Sequence, residues 1–205
     1  MACEDKTTLE LILNAAKEEF LEKGFKSASL RNIVKKAGVT TGAFYGYFAS
    51  KNELFKALVD EEYNYTMTAY KKALTDFENL PIEEKPSQMG NAGRDCMNRM
   101  IYYFDKHRDA FKLILQCSEG TKYAFMVEEM IEMEIDGTRK YYEVLKSLGK
   151  EVPYIDPRLE HILVTGMMNA YFEIMIHDMP LEKAVHYLEE LNDFYTAGWI
   201  KIMGQ

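Results

Sequence analysis

Between Gly24 and Glu53 the chain stops and restarts a helix about every ten residues, and this punctuation constrains the fold more than any other feature. A first helix is expected from about Thr7 to Lys23, with Leu11, Ala15, Phe20 and Leu21 on its apolar face and Gly24 as its stop. Ser29 is placed to cap a short second helix, in which Leu30, Ile33, Val34 and Ala37 follow a 3.6-residue period. Gly38 ends it in the left-handed conformation, and Val39 turns back to the core. Thr40 caps a third helix reaching about Phe48. "SKNE" then sets Ser50 at an N-cap and Glu53 three residues on, a capping box that opens a fourth helix. Two short helices joined by a tight glycine turn make a helix-turn-helix.

The third helix, "TGAFYGYF", mixes four aromatic rings with two glycines. A core segment does not need the glycines, each of which costs about 1 kcal/mol against alanine in a helix interior. A solvated loop does not need the rings. Helical spacing resolves the conflict by placing Ala43, Phe44 and Phe48 inward and Thr41, Gly42, Tyr45 and Tyr47 outward. The outward hydroxyls suit phosphate oxygens or base edges, and Gly42 and Gly46 allow the backbone close approach. Lys51 falls in the first turn of the fourth helix, where free N–H groups favour a phosphate.

Charge agrees with that placement. The chain carries −8, yet Lys23, Lys26, Arg31, Lys35, Lys36 and Lys51 occur with no Asp or Glu between the first and the last of them. Residues 1–56 sum to +2 and the remaining 149 to −10. A positive patch beside an acidic bulk suits a module that meets phosphates at one end, although a solvated helix face has the same composition.

The stretch "SLRNIVKKAGVTTGAFYGYFASKNELFKALV", Ser29 to Val59, resembles the N-terminal domain of TetR-family transcriptional regulators. The match lies in the second helix, the "AGV" turn, the aromatic recognition helix and the "SKNEL" start of the fourth. The resemblance implies double-stranded DNA as partner, with Thr41, Gly42 and Tyr45 toward bases. Arg31, Tyr47 and Lys51 would face mostly phosphates, and Ser29 and Thr40 belong to the same surface. Unlike many relatives, this recognition helix has no Lys or Arg, so bidentate guanine readout falls to Arg31. Val34 stands where Ala is more usual at the helix crossing.

The rest of the 205-residue chain reads as helix too, with five prolines and twelve glycines to interrupt it. The fold class is all-α, about nine helices. A three-helix DNA-binding unit at 1–52 precedes a ligand-binding and dimerisation domain at 53–205. The fourth helix is expected to reach about Asn79, with Pro81 and Pro86 as a break. Helices at about Met89–Lys106, Ala110–Cys117 and Thr121–Leu148 follow. "GKEVPYIDP" is a linker in which Asp156 caps and Pro157 begins the next helix, and Pro180 opens the last.

The last two helices carry more apolar surface than one core accommodates. Gly166 and Ala170 permit close helix approach, and Leu188, Leu191 and Tyr195 lie on the facing stripe. A larger internal core would use the same stripes. The resemblance instead implies a homodimer through these two helices. For a ligand pocket the inward candidates are Met100, Tyr103, Phe104, Phe111, Met126, Met130, Met167, Tyr171 and Met175, though each is also ordinary core. They suit an apolar or aromatic small-molecule effector, and one inward carboxylate of "VEEMIEMEID" would favour a cation.

Other classes find less support. Cys3, Cys96 and Cys117 are too scattered for a disulfide framework or zinc site and read as reduced thiols. Glu4, Asp5, Lys6 and Glu10 stand where a signal peptide needs an apolar run, and "ILVTGMMNAYF" is too short to span a membrane, so a soluble cytoplasmic protein without membrane contact is expected. No metal or cofactor is expected, since C-x-x-C and H-E-x-x-H are absent and His161, His177 and His186 stand alone on amphipathic helices. A di-iron bundle needs Glu three residues before His, and Phe104, Arg158, Ile174 and Lys183 occupy those positions. The alternative to a regulator is a helical-bundle small-molecule-binding protein or enzyme that binds no DNA, which leaves the acid-free basic window unexplained. The expected regulator is a repressor whose two recognition helices enter successive major grooves of a palindromic operator. A ligand would release it by shifting the fourth helix.

Overall fold

A computed structural model describes residues 7–205. Cys3, Glu4, Asp5 and Lys6 lie outside the described residues. The described chain is helical throughout, with nine helices of seven residues or more: α1 (Thr8–Ser27), α2 (Leu30–Ala37), α3 (Thr41–Tyr47), α4 (Lys51–Glu78), α6 (Asn91–Lys106), α7 (Arg108–Cys117), α8 (Met126–Ser147), α9 (Pro157–Ile176) and α10 (Leu181–Ile202). A four-residue turn, α5 (Lys85–Gln88), fills the proline break, and a 3₁₀ turn at Lys122–Phe125 precedes α8. None of the described helices is long and apolar enough to cross a membrane.

Much of the expected punctuation is present, with one cap that was not expected. Thr7 and Glu10 form a reciprocal capping box at the start of α1. Gly24 has φ 72°, so only glycine sits there without strain, and α1 kinks at it and continues for one turn to Ser27. Gly38 closes α2 at φ 67°, with the Val39 N–H reaching back to the Val34 carbonyl. Asp156 accepts from the Arg158 N–H at 2.8 Å and Pro157 opens α9.

Packing divides the chain into two units, and the one around the helix-turn-helix is larger than residues 1–52. It holds the residues up to Asn64 together with His107–Ala124, because α7 packs on α1. Its core combines Ile12, Phe20, Ile33, Phe44, Leu54 and Phe55 with Phe111, Leu113 and Ile114, all buried. The Phe20, Phe25 and Phe55 rings meet edge-on or stacked at 5.1–5.9 Å. The second unit holds Tyr65–Lys106 and Phe125–Gln205. There α10 packs on α6 and α9, and α9 on α8. The long α4 contributes its first half to one unit and its second half to the other.

Candidate nucleic-acid interface and ligand cavity

One buried carboxylate holds the entry to α2. Ser29 occupies the N-cap of α2, but its side chain makes no capping bond. Glu19 of α1, 4% exposed, does the work from ten residues away. It accepts from the Ser29 N–H (3.2 Å), from Asn32 Nδ2 (3.2 Å) and from Lys23 Nζ (3.0 Å). Burial alone would raise its pKa; these three donors outweigh burial and hold the carboxyl below its ordinary value. Thr40 Oγ1 accepts from the Ala43 N–H at 3.1 Å and starts α3. Ser50 Oγ accepts from the Glu53 N–H at 3.1 Å, and Glu53 returns to the Ala49 N–H at 2.8 Å.

The two faces of α3 separate as its spacing predicts. Phe44 is fully buried and its ring packs against Phe48. Thr41, Gly42, Tyr45, Gly46 and Tyr47 are exposed, the two tyrosines by 55% and 50%. A Cβ added at Gly46 meets nothing within 4 Å, and one at Gly42 reaches only Thr40 Oγ1 at 3.9 Å. Neither glycine is required by packing within the chain.

The basic window is less free than its composition suggests. Lys23 pairs with Glu19, Lys26 with Glu119 at 2.5 Å and Lys36 with Glu18 at 2.5 Å. Lys51, expected at a phosphate, spends its ammonium on three carbonyls at the end of α1: Phe25 (2.7 Å), Ala28 (3.0 Å) and Lys26 (3.3 Å). It also lies 4.6 Å from the centre of the Phe25 ring. All three of its N–H donors are thereby used. Arg31 and Lys35, both exposed on α2, are the members of the window with no partner among the described residues.

The second unit contains a cavity that is partly open to solvent. Of the residues expected at a ligand, Met167 and Tyr171 line it. Met100, Met126 and Met130 are instead fully buried packing, as is Phe104 against Phe172. Tyr103 stacks on Tyr65 with ring centres 3.7 Å apart, Phe111 belongs to the first unit, and Met175 does not reach the wall. The wall comes from α4, α6, α8, α9 and α10, with Tyr70, Phe77, Met97, Glu134, Tyr141 and Trp199 prominent. The apolar period of a helix tells which face is inward; it does not tell where facing side chains leave a void. Inside, Tyr70 donates to Glu134 and the Tyr171 hydroxyl donates to Asn192 Oδ1 at 2.9 Å. Burial pushes both tyrosines well above their ordinary range, with the Glu134 charge adding to it, and burial pushes Glu134 up as well.

On the outer side of α9 and α10, Ile162 and Phe194 stand 63% and 70% exposed, with Leu159 and Tyr187 beside them. Gly166 is exposed and Ala170 and Leu191 are half-buried, whereas Leu188 is fully buried within the unit. Tyr195, expected on the outer seam, lines the cavity, its ring edge-on to Tyr171.

Residues 12–58 match the family described as bacterial regulatory proteins, tetR family. The chain is 46% identical over 71 residues to the uncharacterised HTH-type transcriptional regulator YvdT of Bacillus subtilis strain 168, covering 35% of this chain and 37% of that one. It is 27% identical over 171 residues to the uncharacterised regulator YuxN of the same organism, covering 82% of this chain and 54% of that one. The chain therefore spans about half or less of the length of these relatives. Among solved structures, the SmeT–triclosan complex superposes with a TM-score of 0.58 over 94% of this chain and 91% of that one at 21% identity, a likeness of fold.

Proposed function

The chain belongs to the TetR family of bacterial regulatory proteins, and from that premise we propose that it is a homodimeric, ligand-responsive repressor acting in the cytoplasm. The observation that carries the reading is the α3 surface. Thr41, Gly42, Tyr45 and Tyr47 stand exposed on a short helix capped by Thr40 and packed from behind through Phe44 and Phe48, with two glycines that the chain's own packing does not need. Tyr45 and Thr41 read base edges and Gly42 and Gly46 admit the DNA backbone. Arg31, Lys35, Tyr47, Thr40 and Ser29 serve phosphates, Arg31 also being the available guanine reader. Lys51 is left out of this set because its ammonium is engaged with carbonyls.

Two copies place two such helices in successive major grooves about 34–36 Å apart. The dimer forms through the outer side of α9 and α10, around Ile162, Gly166 and Phe194, which are apolar or small and exposed in one copy, with the half-buried Leu191 among them. The cavity of the second unit holds the effector. Its wall includes Tyr70, Ala73 and Phe77 on the second half of α4, whose first half belongs to the DNA-binding unit. A coupling of about 1–3 kcal/mol through that helix is enough for release. The SmeT complex, whose bound molecule is triclosan, supports a small aromatic molecule in the corresponding fold. A gel shift with DNA from upstream of the protein's own coding sequence tests the reading. Retention of that DNA over a scrambled duplex, lost on adding effector, is expected; equal retention of both overturns it.

A further inference from the structure

Every charged side chain on the cavity wall but one has its charge answered inside the chain. Arg94 pairs with Asp193 at 2.6 Å, and Lys140 pairs with Glu78 at 2.7 Å and Asp136 at 2.8 Å. Lys85 donates to the Glu78 carbonyl at the C-terminal end of α4, the end of a helix that favours a cation. Glu134 has only the Tyr70 hydroxyl, and no basic group lies within ion-pair distance of it among the described residues. An enclosed carboxylate without a cation is costly, and the cost is removed either by a proton or by a bound positive charge. The surrounding rings of Tyr70, Phe77, Tyr141, Tyr171, Tyr195 and Trp199 turn π faces or edges to the same space, and aromatic faces attract a cation further.

Two donors on the wall also lack partners: Asn192 Nδ2, on a residue only 4% exposed, and Arg94 Nε. They call for an acceptor oxygen in the bound molecule, although a carboxylate would satisfy them as well.

We propose that the cavity takes an organic cation with an aromatic body, its ammonium set against Glu134. The proposal rests on the reading of this cavity as the effector site. The ammonium replaces the missing counter-ion of Glu134, the body lies along the rings and methionines, and an ether or carbonyl oxygen in that body meets Asn192 and Arg94. Burial holds the Glu134 pKa up in the empty protein, so cation binding also draws a proton off the carboxyl and tightens as pH rises.

Three probes with one body separate the possibilities: 4-phenylbutylammonium, 4-phenylbutanol and 4-phenylbutyrate. The protein has one tryptophan, Trp199, and it lines the cavity, so its emission reports binding there without labelling. The expected result is that the ammonium binds about tenfold or more tighter than the alcohol and the carboxylate, and that Glu134→Gln brings ammonium and alcohol within about twofold of each other. Tyr70→Phe, which keeps the carboxylate, keeps the ammonium preference. Tighter binding of the carboxylate, no change of Trp199 emission with any probe, or an ammonium preference that survives Glu134→Gln overturns the proposal. These titrations use the protein free of DNA, and the gel shift is scored separately. A failure of cation binding therefore leaves operator binding standing, and a failure of operator binding leaves the cation site standing.

Discussion

Glu19 is a carboxylate buried in the first unit and Glu134 a half-buried carboxylate on the cavity wall of the second, and their surroundings send them in opposite directions. Glu19 accepts three hydrogen bonds, one of them from an ammonium, and is held ionised as a fixed part of the helix-turn-helix. Glu134 accepts one, from a phenol, and its burial pulls it toward the neutral acid. A satisfied buried charge is scaffold. One that accepts a single phenol hydroxyl on a cavity wall is where the proposed cation binds. The same contrast runs through the two units, since the first uses nearly all its cations internally and the second keeps unpartnered atoms where a ligand would sit.

The largest expected effect is at Glu19. Glu19→Ala leaves the Ser29 N–H and the Asn32 amide without an acceptor and removes the cap of α2, which costs about 2–4 kcal/mol of stability in denaturant unfolding and abolishes operator binding. Tolerance of the change within 1 kcal/mol, an order-of-magnitude threshold of about one neutral hydrogen bond, would sink the scaffold role.

The pH dependences of the two carboxylates should have opposite sign. The folded pKa of Glu19 is lowered, so its contribution is fully present above the ordinary value of 4.5 and is lost as pH falls through the folded value. The folded pKa of Glu134 is raised, so the unfolded chain releases that proton first and stability falls as pH rises from 4.5 toward the folded value. Glu134→Gln should thus stabilise the protein at neutral pH and do little near pH 4 (roughly half a unit below the ordinary value), while Glu19→Gln destabilises most at neutral pH. Urea melts of the wild type and both variants across that range check the signs.

Lys51 separates scaffold from DNA contact within the first unit. Lys51→Met should lower stability by about 1–3 kcal/mol, because three carbonyls at the end of α1 lose their donor, and leave the salt dependence of DNA binding unchanged. Lys35→Ala should do the reverse, with no loss of stability and a salt slope lower by about one per subunit.

Most of the turns and caps, the Ser29 side-chain cap excepted, were legible in the sequence because each depends on a few adjacent residues. Gly24, Gly38, Thr40, Ser50 and the Asp156–Pro157 pair all do what their local chemistry requires. Glu19 was not legible: it is one of several acids on α1, and its bonds reach to Ser29 and Asn32 across a turn. The engagement of Lys51 was not legible either: a helix start suggests a phosphate site, whereas its long side chain reaches back more than twenty residues to backbone carbonyls. In the second unit, periodicity marked Met100, Met126 and Met130 as inward, and inward they are, as packing. Only the positions of facing side chains show that the void lies instead between Tyr70, Glu134, Tyr171 and Trp199.

The smallest effect is the sharpest for α3. Gly46→Ala adds a methyl to open space on a helix, so stability should rise by about 0.5–1 kcal/mol while operator affinity falls. A rise in both would mean that no partner approaches the backbone there.

Operator binding by the Tyr45→Ala protein is the most direct measurement. Tyr45 is exposed, and its ring touches Phe44 edge-on, so its truncation leaves the buried side of α3 in place. Fluorescence anisotropy with the upstream DNA and a scrambled duplex of equal length, at matched salt, gives the ratio of the two affinities. That ratio should be large for the wild type and fall about tenfold or more in the variant, with scrambled-duplex affinity nearly unchanged. A wild-type ratio near one, or a ratio untouched by Tyr45→Ala, would contradict the assignment of the α3 face as the surface that reads DNA.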